Sequence, residues 1–296
     1  MSSELRPIGA EELRARLPMA AAVDALEEAF RSQDPSGGPL RTHVDTPHGS
    51  LLLMPASGDG GVGVKLVTLT PGNPRAGRPL IHAMYVLFDR ETQVPVAVLD
   101  GAALTALRTA AVSGLATRYL AQDDAERLVI FGAGVQARSH LEAMVAVRPI
   151  RRVVVVSRTS EPAEALAERA RADGLEARVG EPRDVADADV ICTCTTSPTP
   201  VFDGSWLRPG THINAVGSYQ PGTRELDTET IRRAQVVVES ILVALEEAGD
   251  LLIAIEEGAI ERSDISLDLA DLVRGDSGGK RTEGISVFKS VGMAFE

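Results

Sequence analysis

Cysteine is nearly absent from this chain of 296 residues, which carries only Cys192 and Cys194. With no second Cys or His pair at zinc spacing, a metal site is not expected. The two lie in the apolar run Val190-Ile-Cys-Thr-Cys-Thr195. Alternation on a strand turns both to one face, where they read as small buried residues, and a cytoplasmic protein is expected. No apolar run approaches the roughly 18 residues of a membrane span, and no signal peptide is expected ahead of the fold. Positive charge is in deficit: the formal net charge is −12. That argues against nucleic acid or an anionic membrane surface as a partner, and it makes a local cluster of Arg and Lys more informative. Internal repeats and low-complexity segments are also missing.

The composition, 44% hydrophobic and 24% charged, is that of a globular protein, and the length suits two domains. Residues 9–32 have helical spacing through Leu13, Leu17, Ala21, Val23, Leu26 and Phe30. A loop rich in Pro, Ser and Gly over 33–38 follows. Strand-like runs at 41–46, 50–55, 62–70, 81–89 and 96–99, joined mostly by short turns, predict a largely antiparallel sheet. A long helix rich in Ala and Leu is predicted over 101–120. The polar stretch Ala121-Gln-Asp-Asp marks a boundary between domains 1–121 and 122–296, with the extreme C-terminal segment returning to the first.

The second half alternates strand and helix patterns. Leu128 to Phe131 reads as a buried strand, Gly132-Ala-Gly134-Val-Gln-Ala137 as a tight turn, 138–147 as a helix, and Val153 to Val156 as the next strand. This is the dinucleotide-binding βαβ unit. Gly132 allows the turn, Gly134 lets backbone approach a pyrophosphate, Ala137 lets the helix pack on the strand, and the helix N-terminus offers free N–H groups to phosphate. Further strands at 190–195, 212–216, 236–239 and 285–288, with helices at 162–172 and 226–234, predict a doubly wound parallel sheet, so the fold class is α/β: a Rossmann domain plus an N-terminal α+β domain. Ligands on such sheets lie beyond the carboxyl ends of the strands, which places Gly132, Arg158, Thr195 and Gly217 on one rim. NAD sites carry a carboxylate about 20 residues past the glycines. Here the second strand ends in Ser157-Arg158-Thr159 instead. A guanidinium with two hydroxyls suits a 2′-phosphate, so NADP(H) is preferred and NAD(H) remains possible; the alternative is that Arg158 is a solvated loop residue.

Seven stretches, running in order from residue 41 to 292, are similar to the ornithine cyclodeaminase/μ-crystallin family. They include Leu51-Leu-Leu-Met-Pro, Val64-Lys-Leu-Val-Thr, Leu107-Arg-Thr-Ala-Ala-Val-Ser, the glycine turn, His212-Ile-Asn-Ala-Val-Gly-Ser, Ala248-Gly-Asp-Leu and Val287-Phe-Lys-Ser-Val-Gly. The resemblance implies a homodimer formed through the N-terminal domain, an NAD(P)H-binding Rossmann domain, and chemistry at the α-carbon of a small amino or imino acid. It maps the substrate-carboxylate cluster to Arg41, Lys65 and Arg108. Read from the residues alone, those three suit an anionic substrate but would equally be surface charges. Arg offers a bidentate fork to a carboxylate, and burial of Lys65 in an apolar strand would lower its pKa and make it a proton donor or base. The candidate cofactor residues are Thr109, Gly132, Ala133, Gly134, Val135, Gln136, Ser157, Arg158, Thr159, Thr195, Thr196, Val216, Gly217 and Ser290.

Two departures direct the choice of activity. Tyr219 stands where cyclodeaminases of the family carry an Asp, and Leu52 where they carry a Glu. Both carboxylates would serve a diamino acid, so ornithine cyclodeamination is disfavoured, and with it the alanine-type dehydrogenases that use the same Asp. The expected activity is NAD(P)H-dependent reduction of small cyclic α-imino acids, such as pyrroline- or piperideine-2-carboxylate, to the L-amino acid. The rivals are a cyclodeaminase or amino-acid dehydrogenase, and a cofactor-binding protein with little catalysis. The resemblance also implies a helix past the position of Glu296 that packs on the first domain, so either that helix is missing here or different dimer packing is expected.

Overall fold

The computed structural model describes residues 5–33, 41–58, 61–275 and 283–296. The loop expected over 33–38 therefore falls, past Gln33, outside the described residues. Two sheets are formed. The first is six-stranded and contains β1 (Arg6–Ile8), β2 (Thr42–Thr46), β3 (Gly49–Gly58), β4 (Gly61–Leu69), β5 (Ile81–Phe88) and β6 (Pro95–Asp100), in the order β1-β6-β5-β4-β3-β2. The β2 to β6 pairings are antiparallel, as the short turns predict, while β1 joins β6 in parallel. β1 is too short to announce itself in the sequence.

The helix expected over 9–32 is two helices, α1 (Ala10–Arg16) and α2 (Met19–Ser32). Pro18 separates them: it lacks the N–H that a continuous helix would need there, and it starts the second helix instead. α3 (Gly101–Leu120) begins at the end of β6, its N-terminus capped by Asp100, whose side chain accepts from Ala102 N at 3.0 Å and Ala103 N at 2.9 Å. α3 is buried along most of its length, because its Ala-rich sequence lets helices and sheets approach from several sides.

The second sheet is parallel throughout, with seven strands: β7 (Arg127–Phe131), β8 (Arg152–Val156), β9 (Glu176–Val179), β10 (Val190–Thr193), β11 (His212–Ala215), β12 (Ala234–Val238) and β13 (Ile285–Lys289). The spatial order is β12-β13-β11-β10-β7-β8-β9. From β7 the chain runs outward through β8 and β9, then returns to β10 on the other side of β7. The reversal puts a crevice between the carboxyl ends of β7 and β10, where doubly wound sheets bind ligands. α4 (Val135–Val147) and α5 (Ser160–Ala172) follow β7 and β8; α6 (Thr228–Arg233), α7 (Ile241–Glu247), α8 (Gly249–Glu256) and α9 (Leu269–Arg274) complete the half. Aliphatic cores cover the sheet: Leu128, Ile130, Val153 and Val155 pack with α4 and α5 residues, and Val129, Ile191, Ile213 and Val287 pack on the opposite face. The C-terminal segment reaches the first half of the chain, with Phe295 edge-on to Phe30 at 5.1 Å between ring centroids. No helix among the described residues is long and apolar enough to cross a membrane.

Candidate active site

The glycine turn forms at the crevice. Gly132 has φ +102°, and a Cβ there would lie 2.6 Å from the carbonyl oxygen of Cys194, so only glycine serves. Hydrogen bonds Gly132 N to Val156 O (2.8 Å) and Cys194 N to Phe131 O (2.8 Å) tie the turn to both neighbouring strand ends. Cys194 itself lies one residue past β10, on the crevice rim, rather than within the strand as the alternation predicted; Cys192 is fully buried. Gly134 is the N-cap of α4 and supplies no side-chain cap, so the first N–H groups of a thirteen-residue helix are left for an incoming anion. A cavity of about 780 Å³ opens here, lined by Gly132, Ala133, Gly134, Ser157, Arg158, Thr159, Thr195 and Thr196 among others. Eight of the residues nominated from the sequence thus meet on one surface. Val135 is 59% exposed on the adjoining helix start. Thr109 is buried and its hydroxyl has no partner among the described residues; the same holds for the Gln136 side-chain oxygen. Orphaned polar atoms beside an uncapped helix N-terminus and a glycine cradle fit a dinucleotide. Gly217 lines a neighbouring cavity of about 340 Å³ with Thr196, His43 and Tyr219. Val216, half-buried, donates its N–H to Thr193 O.

The three nominated cations meet where the first sheet faces the end of β13. Lys65, on β4 opposite Tyr85 of β5, is 6% exposed. Burial, reinforced by Arg108 and then Arg41, holds its ammonium well below the ordinary lysine range, while Glu296 and Glu239 pull the other way. Lys65 and Arg108 line one cavity of about 330 Å³ with Tyr85, Leu87, Leu99 and Glu296. Arg108 pairs with the Glu296 carboxyl group. That carboxyl is fully buried, and burial together with Glu239 pushes its pKa up to about 8. Arg41 pairs with Glu247 at 2.7 Å and donates to the carbonyls of Val291 and Gly292, each at 2.7 Å. Gly292 has φ +82°, and a Cβ there would strike the Arg108 guanidinium at 2.7 Å.

Ser290, nominated for the cofactor, donates to Glu239 at 2.5 Å. Leu52 is 4% exposed within the sheet core, and Tyr219 is half-buried near enough to Arg41 to feel its charge. Sequence reasoning missed Glu239, Glu247 and Glu296, the acidic partners of the cation cluster. It also missed a buried network at the strand ends. Glu225 accepts from Thr193 Oγ1, Thr195 N and Gly217 N at 2.7–2.8 Å, and Lys289 pairs with Asp250 at 2.9 Å; Glu225, Lys289 and Asp250 are out of solvent. The signal was available in the charged residues embedded in apolar context at Phe288-Lys289 and Ala248-Gly-Asp250.

Comparison with known proteins identifies the family and its fold. The model of the ornithine cyclodeaminase/mu-crystallin family matches residues 9–296. A Delta(1)-pyrroline-2-carboxylate reductase of Bacillus cereus is 40% identical over 270 residues, which is 86% of this chain and 81% of the relative. Ketimine reductase mu-crystallin of Mus musculus is 38% identical over 299 residues, covering 98% and 93% of the two chains. The structure of Thermococcus litoralis Delta(1)-pyrroline-2-carboxylate reductase in complex with NADH and L-proline superposes with a TM-score of 0.93 at 36% identity, covering 98% of this chain and 93% of that one.

Proposed function

Because the chain belongs to the ornithine cyclodeaminase/mu-crystallin family, we propose that it is an NAD(P)H-dependent reductase of small cyclic α-imino acids, with pyrroline-2-carboxylate as the representative substrate. The observation that carries this reading is that Arg108, lining one pocket with the buried Lys65, already holds a buried carboxyl group. A substrate carboxylate would replace Glu296 there and gain the same guanidinium. Arg108 then orients the imine next to Lys65, a gain of positioning rather than of affinity alone. Lys65, its pKa lowered by burial and by two arginines, is a stronger acid than an ordinary lysine and would give its proton to the imine nitrogen. The iminium is the better electrophile at the α-carbon. A reduced nicotinamide supplies the hydride, and the crevice between β7 and β10 would hold the dinucleotide through the α4 N-terminus, Thr109, Gln136, Thr195 and Thr196.

NADPH is the proposed cofactor. Arg158 is exposed at the cavity rim, and no ion pair commits its guanidinium among the described residues. We further propose a homodimer built on the first sheet, where Val44 and Met84 are exposed.

Incubation with L-ornithine, without added reductant, separates the reading from its main rival. Leu52 and Tyr219 supply neither carboxylate for a second amine, so mass spectrometry is expected to find no enzyme-dependent proline and ammonia. Clear formation of both would restore the cyclodeaminase assignment.

A further inference from the structure

The cation cluster contains an anion that neither touches the cations nor leaves with the substrate. Glu239 stands just past the end of β12, 1% exposed. Its carboxylate accepts from Ser290 Oγ at 2.5 Å, Val291 N at 3.1 Å and Gly292 N at 2.7 Å. Those three residues form the turn leaving β13. The same turn offers the Val291 and Gly292 carbonyls to Arg41, and its Gly292 Cα lies against the Arg108 guanidinium. One buried carboxylate therefore fixes the N–H side of a turn whose C=O side holds one arginine and whose bare α-carbon seats the other. Glu296 sits on Arg108 and would yield to substrate, and Glu247 lies at a partly exposed edge with 18% of its side chain accessible. Glu239 also shares a hydrogen bond with the Glu296 carboxyl, but its bonds to Ser290 and to the Val291 and Gly292 N–H groups hold it in place through either change.

We propose that Glu239 is a positioning residue: it holds the Ser290–Gly292 turn under Arg41 and Arg108 and leaves one negative charge beside Lys65 when substrate occupies Arg108. The proposal rests on the imino-acid reductase reading for its substrate, but not for its geometry. The charged and titratable groups facing Lys65 are Arg108 from α3, Arg41 ahead of β2, Tyr85 across the β4–β5 pair, Glu296 from the C-terminal segment and Glu239. Clustered cations repel one another, and an anion opposes the loss of the lysine proton.

Two substitutions separate the geometric and electrostatic parts. Glu239→Gln has the same shape, its amide oxygen can still accept from the turn N–H groups, and only the charge is removed. Glu239→Ala removes both. Removing a negative charge disfavours the protonated amine, so in Glu239→Gln the lysine pKa falls. The alkaline limb of kcat/KM should move to lower pH by about one unit, and so should the midpoint for acetylation of Lys65 by acetic anhydride, followed by peptide mass spectrometry across pH. In Glu239→Ala the imino-acid KM should rise at least about tenfold, the loss expected when charge-assisted bonds holding the arginine seat are removed. A role confined to stability would lower the unfolding temperature and move neither pH profile. An unshifted Lys65 midpoint in Glu239→Gln overturns the proposal, and that readout needs no turnover. Wild-type protein inactive on cyclic imines would instead overturn the functional reading while leaving the labelling result to decide the role of Glu239.

Discussion

At the scale of single residues the account depends on Lys65 and Arg158. Lys65 was legible through the family resemblance, because an ammonium in the strand Val64-Lys-Leu-Val would by itself read equally as a surface charge; the structure buries it. Lys65→Ala should lower kcat by roughly 10² to 10⁴, the range for a lost general acid, while the reduced dinucleotide still binds. Fluorescence titration beside steady-state rates checks this, and near-wild-type turnover would remove Lys65 from the chemistry. Arg158 was singled out in the sequence because it stands where an NAD enzyme places a carboxylate. Bonds from it to a 2′-phosphate would be worth about 1.5–3 kcal/mol, so the proposed preference is NADPH over NADH by at least about tenfold in kcat/KM. Ser157→Asp with Arg158→Ala should invert the ratio; equal constants in the wild type would show that the guanidinium serves only solvent. Glu239, Glu247 and Glu296 were not legible. Each is an acidic residue in a chain rich in them, and only folding brings positions 239, 247 and 296 against 41, 65 and 108.

At the scale of elements, the glycine turn and its flanking strands could be read because their spacing is local. Gly292 could not, since what requires it is a guanidinium from α3. An alanine there must adopt a left-handed backbone, at about 1–2 kcal/mol, and must displace Arg108. Gly292→Ala is therefore expected to raise the imino-acid KM at least about tenfold while leaving dinucleotide affinity within about twofold, because the arginine seat moves and the β7–α4 turn does not. Calorimetric binding of L-proline and of the dinucleotide would distinguish the two, and equal losses would mean that the variant disturbs the fold generally. The elements that escaped the sequence have physical reasons. β9 reads Glu-Ala-Arg-Val and is an edge strand with alternate residues in solvent, so no apolar run marks it. α7 and α8 are apolar on several sides and separated by only Ala248, which blurs their helical period. Pro18 was visible, but helical spacing on either side of it hid the break.

At the scale of the molecule, the division into a largely antiparallel sheet and a parallel one followed from turn length and from strand–helix alternation. The spatial order, with β13 inserted between β11 and β12, did not, because the strand that fills that position is the last in the chain. The fold also buries two histidines that composition could not flag. His140 contacts Gln136 O and Ser113 Oγ, His212 contacts Ser286 Oγ and Asn214 Oδ1, and burial lowers their pKa values to about 4 and about 3. The unfolded chain binds these protons near pH 6.5 and the folded chain does not, so stability is full above that pH and falls as pH drops toward 4, by roughly 3 kcal/mol for each histidine. Denaturant unfolding of His212→Asn against wild type should show a flatter acid slope; identical slopes would mean that His212 is protonated in the folded state. The central claim is imine reduction by a reduced nicotinamide. Its most direct measurement mixes the protein, NADPH and pyrroline-2-carboxylate and follows cofactor absorbance together with proline by chiral chromatography. The account predicts one L-proline for each NADPH oxidised, with the rate abolished in Arg108→Ala. No NADPH oxidation with this or any small cyclic α-imino acid, from folded protein that binds NADPH, would contradict it.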